Sequence, residues 1–174
     1  ACSDTLVLRS VAFDIEAITA AVDEAVATIR ATGADVLLAT PTDTLDAGPL
    51  LGLTRTRSAV YTAHLFTIAQ RHGCYIVNQW GARFLRDWRL WSDDRIHMTA
   101  EGHRRIALEA FSSLGYEPED LEWRTPLPPR PRPTRVETAR GNAEWLRTHV
   151  RPWVHRRLTG RSSGDGITPK RPTL

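Results

Sequence analysis

The order of helical and strand-like segments predicts an α/β protein, a three-layer α/β/α sandwich around a parallel sheet. Three amphipathic segments with helical spacing alternate with two short, nearly continuous apolar runs. Such runs are typical of strands that are buried on both faces of a parallel sheet. The order helix–strand–helix–strand–helix then requires crossover connections, which are right-handed in almost all known cases.

The first helix is predicted over residues 14–32, where apolar residues recur every three or four positions. Asp14 is placed to cap its start and Gly33 to end it. The first strand is predicted over residues 35–40. A loop rich in Thr, Asp, Gly and Pro is expected to follow at residues 41–57.

The second half of the predicted sandwich repeats this order. A helix over residues 58–72 is expected to lead into a strand over residues 74–77. A short helix at 81–91 would carry the aromatic side chains Phe84, Trp88 and Trp91. A third amphipathic helix is expected at 99–114. Its inward face should consist of Ile106, Ala107, Ala110, Phe111 and Leu114.

A change of composition predicts two domains, residues 1–116 and 117–174. The second holds 12 Lys and Arg against 7 Asp and Glu, whereas the first holds 11 against 13. Its Pro-rich stretch at 127–133 should be extended, and a helix is expected over 138–159, kinked or split by Pro152. The basic residues are spread out and interrupted by Pro and Trp, so we expect a solvated tail or a packed arm, and nucleic-acid binding is not expected.

The sequence gives few indications of the cellular compartment. Cys2 and Cys74 form neither a disulfide framework nor a metal-ligand spacing, and no apolar stretch reaches the length of a membrane span. Because the sequence begins at Ala1 rather than Met, we expect a piece of a longer protein or a processed product. The expected compartment is the cytoplasm, with secretion left open; the oligomeric state is open as well.

The most informative local feature is an acid three residues before a histidine, Asp94 and His97, just ahead of the third helix. A carboxylate at this spacing can hold one imidazole nitrogen, which leaves the other to take a proton from a serine hydroxyl. Asp93 is a rival for the carboxylate role, although the three-residue offset favours Asp94. The structural alternative is that Asp94 caps the following helix and His97 is an ordinary histidine.

A metal site would need further ligands. His103 falls six residues after His97, inside the predicted helix, and should point elsewhere. No additional ligand has the spacing that a site with these two histidines and Asp94 would require, so no metal is expected.

Two other groups of residues carry weaker signals. Trp88 and Trp91 could line a pocket for an acyl or sugar group, although aromatic residues at this spacing are more often core residues. Ser162 and Ser163 stand among Gly and Arg in a segment where nothing is expected to orient them. We therefore do not expect either serine to be a nucleophile.

The chain resembles the C-terminal part of SGNH hydrolases, also called the GDSL esterase/lipase family. The family's last motif, Asp-x-x-His followed by a Gly at the start of a helix, is matched by Asp94, His97 and Gly102. Residues 31–40 and 153–172 resemble bacterial members with a basic Pro- and Trp-rich tail. The resemblance implies a flavodoxin-like SGNH sandwich that here lacks its N-terminal strand and helix.

The resemblance also implies an activity, the hydrolysis of carboxylic esters of small molecules, lipids or sugars through an acyl-enzyme, without metal or organic cofactor. Asp94 would be the acid of the triad and His97 the base. The Gly-Asp-Ser motif that carries the family's nucleophile does not occur in the sequence and is expected upstream of Ala1. We therefore expect this chain alone to have little or no esterase activity.

The family's oxyanion-hole motif, Gly-x-Asn-Asp, is matched only in degraded form by residues 1–4. Ser3 stands where the asparagine should be, and its hydroxyl is shorter than an amide. Loss of one oxyanion donor typically lowers the rate about 100- to 1,000-fold.

Two hypotheses from other classes stay open. One is a non-catalytic remnant or binding module whose basic tail contacts nucleic acid or anionic lipid. The other is an incomplete fragment whose exposed sheet edge and apolar faces lead to self-association.

Overall fold

A computed structural model describes residues 14–161, which divide into two compact units, one ending at Leu127 and the other beginning at Pro128. No described helix is long and apolar enough to cross a membrane. The elements of the first unit are α1 (Ile15–Ala31), β1 (Leu37–Ala39), α2 (Gly48–Gly52), α3 (Arg55–His72), β2 (Tyr75–Val77) and α4 (Ala100–Ser113). Those of the second are α5 (Arg135–Trp145) and α6 (Arg151–Leu158).

The two strands pair in parallel, with Leu38 opposite Ile76, which confirms an α/β chain with a parallel sheet. Full burial of the strands was the wrong expectation, because Leu37 and Tyr75, which face each other across the pair, are both exposed. Helix α1 packs on α3, α3 contacts both strands, and α4 packs on β2. The complete three-layer sandwich stays a prediction.

Local signals set the ends of the first helices. The Asp14 carboxylate accepts a hydrogen bond from the Ala17 amide, 3.1 Å away, and so caps α1 as predicted. Gly73 ends α3 in the left-handed conformation, with φ of 62°. The predicted loop at 41–57 was wrong in part, because it contains α2 and the first turn of α3.

The helix predicted at 81–91 is replaced by two 3₁₀ turns, Arg83–Arg86 and Trp88–Leu90. Asp87 separates them because its backbone is extended, with ψ of 116°. Its carboxylate accepts a hydrogen bond from the Arg89 amide at 2.9 Å. This local cap competes with continuous helix formation.

The turns form one cluster of buried core residues in the first unit together with Trp123; its members are Ala82, Phe84, Leu85, Leu90 and Trp123. Phe84 and Trp123 meet edge to face with ring centroids 5.9 Å apart. Trp123 is only 3% exposed, although composition assigned it to the tail. Residues 117–127 therefore pack on the first unit.

The inward face of α4 differs in part from the prediction, although Ile106 does pack against the core cluster. Its buried residues are Gly102, Arg105 and Glu109, whereas Phe111 is exposed and stacks on Tyr116. The polar face is inward because the segment at 117–127 covers it. The Arg105 guanidinium donates a 2.7 Å hydrogen bond to the Thr125 carbonyl.

In the second unit, α5 begins at a capping box formed by Thr134 and Glu137. A π-turn at Leu146–Val150 then joins α5 to α6, and the Arg151 amide donates to the Leu146 carbonyl. Pro152 follows at once, and it has no N–H with which to continue an α-helical ladder. The interruption predicted at Pro152 thus takes the form of a π-turn.

Candidate active site

Asp94 and His97 lie on a tight turn that the backbone closes just before α4. Trp91 and Met98 form an antiparallel bridge at its base. The Ser92 amide donates to the His97 carbonyl at 2.8 Å. These contacts fix the ends of the turn, so its side chains project from a defined frame.

The middle of the turn contains an unusual backbone conformation. Arg95 has φ of 62°, in the left-handed region that few non-glycine residues adopt. Its amide donates to the Ser92 carbonyl at 2.9 Å, and its guanidinium lies 5.7 Å from the centroid of the Trp88 ring. A cation–π contact of this kind helps to hold the strained residue in place.

The Asp94 carboxylate binds both the backbone of the turn and the imidazole. Oδ1 accepts hydrogen bonds from the amides of Ile96, at 2.9 Å, and His97, at 3.0 Å. Oδ2 lies 2.6 Å from Nδ1 of His97. It is therefore Asp94, not its rival Asp93, that pairs with the imidazole.

The same contacts set the charge of the pair. Burial raises the pKa of Asp94, but hydrogen bonds from the His97 ring and from the amides of His97 and Ile96, with the His97 charge, outweigh it and lower the pKa to about 2. Asp94 is therefore ionised at neutral pH. When Nδ1 carries the proton that faces this carboxylate, Nε2 on the opposite side of the ring is an acceptor. The His97 side chain is 77% exposed, so Nε2 is accessible.

Gly102 allows α4 to begin directly against the turn. A Cβ atom at this position would lie 2.4 Å from the Leu90 carbonyl oxygen and 3.0 Å from the Met98 Cβ. The Gly102 amide donates to the side chain of Thr99, which caps the helix. Leu90 is completely buried, so the turn is anchored to the core.

The two tryptophans of this region have structural contacts. Trp91 packs on the core and donates from Nε1 to the Leu85 carbonyl at 2.7 Å, while Trp88 faces Arg95. An open cleft of about 520 Å³ lies elsewhere, between α3, β2 and the end of α4, and is lined in part by Phe66, Cys74 and Tyr75. A pocket for an acyl or sugar group at the tryptophans remains a prediction.

Several predicted positions fall outside the described residues, namely Cys2, Ser3, Asp4, Ser162 and Ser163. Ser162 has the spacing Gly-x-Ser-x-Gly in the sequence at 160–164. A nucleophile elbow of that pattern follows a strand, whereas this one follows α6. The spacing alone therefore does not indicate a nucleophile.

The described part of the chain contains no group of three His, Cys, Asp or Glu side chains placed to hold a metal ion. His103 is exposed on α4. The Asp94 carboxylate is already committed to the turn amides and to His97.

Sequence reasoning missed a polar cluster at the carboxyl end of β1. The nearly buried carboxylate of Asp43 accepts hydrogen bonds from Arg55, at 2.7 Å, and Arg86, at 2.6 Å. The hydrogen bond from Arg55 is the main cause that lowers the pKa of Asp43. The cluster ties the loop after β1 to the 3₁₀ turn that precedes the candidate site. Arg55 and Arg86 follow Asp43 by 12 and 43 residues in the sequence. The only local signal of the cluster was therefore an Asp shortly after a strand, which is weak.

An ionised aspartate that orients an exposed histidine, in an α/β chain with a parallel sheet, is an arrangement by which hydrolases hold an acid and a base. Residues 9–105 match the model of the GDSL-like lipase/acylhydrolase family, and the chain belongs to this family. The match includes Asp94, His97 and Gly102 and confirms the resemblance seen in the sequence. By family the protein is an ester hydrolase. No curated protein and no solved structure matches the chain.

Proposed function

We propose that Asp94 and His97 are the acid and base of a serine ester hydrolase of the SGNH type. The nucleophilic serine belongs to sequence that precedes Ala1, not to residues 1–174. The observation that carries this proposal is the 2.6 Å contact between Asp94 Oδ2 and His97 Nδ1 on an exposed imidazole. This contact orients Nε2 toward solvent, where a serine hydroxyl can approach it.

In the proposed reaction, Nε2 of His97 removes the serine proton as the serine oxygen bonds to the ester carbonyl carbon. The imidazolium then gives that proton to the alcohol oxygen as the carbon–oxygen bond breaks, which leaves an acyl-enzyme. Water attacks the acyl group as His97 takes its proton, and the imidazolium then returns that proton to the serine oxygen as the acyl bond breaks and the carboxylic acid leaves. Asp94 stays ionised throughout and stabilises the imidazolium.

The proposed substrates are carboxylic esters of small molecules, lipids or acetylated sugars, and the reaction needs no metal or organic cofactor. Ser3 is the proposed, weakened oxyanion donor in the position of the family's asparagine. Its replacement by Asn should raise the turnover of the complete enzyme, because the longer amide reaches the developing oxyanion.

The test is the hydrolysis of p-nitrophenyl acetate by the protein translated together with its upstream sequence. Asp94→Asn should lower kcat about 10⁴-fold, because the imidazole loses its orienting charge, and His97→Ala should lower it at least as far. Asp93→Asn is the matched control and should keep the wild-type rate. Residues 1–174 alone should give no burst of p-nitrophenol.

Two results would contradict the proposal. If His97→Ala left the rate unchanged, His97 would not be the base. If residues 1–174 alone hydrolysed the ester in a reaction abolished by His97→Ala, the nucleophile would lie inside this chain.

A further inference from the structure

The helix of the second unit carries an exposed apolar stripe. Its members are three or four residues apart and so lie on one side of the helix. They are Val136, Ala139, Ala143, Leu146, Val150, Val154 and Leu158. The largest of them are well exposed: Val136 68%, Leu146 48%, Val154 40% and Leu158 82%. These exposures show that the stripe is not buried within the second unit.

The π-turn keeps the stripe continuous. Up to Leu146 the spacing alternates between three and four residues, and from Leu146 onward it is four throughout. An ordinary α-helix has about 3.6 residues per turn, so residues spaced four apart shift progressively around the helix axis. A π-turn closes its hydrogen bond over five residues instead of four, and this turn occupies Leu146–Val150, where the spacing changes. The seven residues of the stripe therefore remain on one side along both α5 and α6, whereas the half-buried Trp145 lies outside the stripe.

The helix is also strongly basic. Residues 135–161 contain seven Arg and two Glu. Arg140, Arg147 and Arg151 follow one border of the stripe at helical spacing. Arg147 and Arg151 line a shallow groove together with Leu146, Val150 and Val154. Cationic side chains thus stand directly beside the apolar surface.

We propose that this helix binds the surface of a membrane that contains anionic lipid, lying parallel to the bilayer plane. The apolar stripe enters the boundary between headgroups and acyl chains, while the flanking guanidinium groups contact lipid phosphates. Nucleic acid fits less well, because phosphate contacts would use the arginines and leave the apolar stripe in water. The proposal is independent of the esterase proposal, since it concerns only residues 135–161.

The test is co-sedimentation of the 174-residue chain with vesicles of phosphatidylcholine, with and without phosphatidylglycerol, near neutral pH. The wild type should bind the anionic vesicles and release them as salt is added. The double variant Val150→Asn, Val154→Asn should bind at least about tenfold more weakly, because two apolar side chains lose their burial. Its matched control, Thr138→Asn with Thr148→Asn, changes side chains that lie away from the stripe and should bind like the wild type.

A second variant tests the proposal without changing the apolar side chains, in case the first variant is misfolded. Arg147→Gln with Arg151→Gln keeps the apolar stripe, and each lost charge should weaken binding to anionic vesicles about fivefold. The proposal would be overturned by equal binding to vesicles without phosphatidylglycerol, or by equal loss in the Thr138 and Thr148 control. Tighter retention on duplex DNA that the Val150 and Val154 variant does not reduce would equally overturn it and favour nucleic acid.

Discussion

At the scale of single residues, Asp94 has two roles, one for each of its carboxylate oxygens. Oδ1 stabilises the turn through the amides of Ile96 and His97, and Oδ2 orients the imidazole. Asp94 therefore stabilises its own turn as well as orienting the imidazole, whereas the following helix is capped by Thr99 and not by Asp94 as the structural alternative had it. Removal of the charge should affect both stability and proton transfer.

The stability role predicts a pH dependence. The pKa of Asp94 falls from 3.8 to about 2 on folding, so its contribution is fully present above pH 3.8 and is lost as pH falls through about 2. The shift corresponds to on the order of 2 kcal/mol. Urea unfolding between about pH 4 and pH 2 should show a shallower loss of stability in Asp94→Asn than in the wild type. Asp93→Asn should keep the wild-type slope, and an equal change in both variants would contradict the assignment.

Gly102 supports a second prediction at this scale. In Gly102→Ala the new methyl group would meet the Leu90 carbonyl at 2.4 Å, so the free energy of unfolding should fall by about 1–3 kcal/mol. Gly141→Ala in α5 is the control, because a Cβ there meets nothing within 4 Å. Chemical denaturation should show that Gly141→Ala is neutral or stabilising by up to about 1 kcal/mol. Equal stability of the two variants would exclude the close approach of α4 to the turn.

At the scale of elements, the features that could be predicted best from the sequence are those that neighbouring residues determine, such as helix ends. Asp14 and Gly73 carry their cap signals within one turn of the helix ends. The packing of Phe84 and the inward face of α4 could not be predicted in the same way, because they depend on Trp123 and Thr125, which lie far along the chain. Composition placed those two residues in a tail.

The same distinction applies to the candidate site. Asp94 and His97 are three residues apart, and their pairing could be expected from spacing. The Asp43 cluster gathers Arg55 and Arg86 from other elements, and no pattern in the sequence brings these three together. Their assembly requires the parallel pairing of β1 and β2 and the turns that follow.

The attachment of residues 117–127 gives a prediction at the scale of elements. The Arg105 side chain is 8% exposed and binds Glu101 and the Thr125 carbonyl, whereas the neighbouring Arg104 is 46% exposed. Arg105→Ala should lower the free energy of unfolding by about 2–3 kcal/mol, because a buried charged hydrogen bond is lost. Arg104→Ala should cost less than about 1 kcal/mol, as expected of an exposed ion pair. Denaturant titration of both variants checks this, and an equal effect would contradict it.

At the scale of the whole molecule, the structure divides after Leu127, whereas the change of charge in the sequence predicted a domain boundary after Tyr116. The two positions differ by the segment that contains Trp123. The folded boundary follows burial, and the compositional boundary follows charge. A choice between them can be made with truncated chains.

A chain that ends at Leu127 should melt cooperatively. A chain that ends at Tyr116 should melt about 10 °C lower or lose its cooperative transition, because loss of a buried Trp costs about 3–5 kcal/mol. Thermal denaturation followed by circular dichroism compares the two. Identical melting temperatures would mean that residues 117–127 do not belong to the first unit.

The central claim, that His97 is the base for a serine preceding Ala1, is tested most directly by labelling the product of the natural gene with a fluorophosphonate, which reacts with activated serines. Mass spectrometry should locate the label on a serine in a Gly-Asp-Ser sequence upstream of Ala1, and His97→Ala should abolish labelling. Labelling that persists in His97→Ala, or a labelled serine within residues 1–174, would contradict the claim.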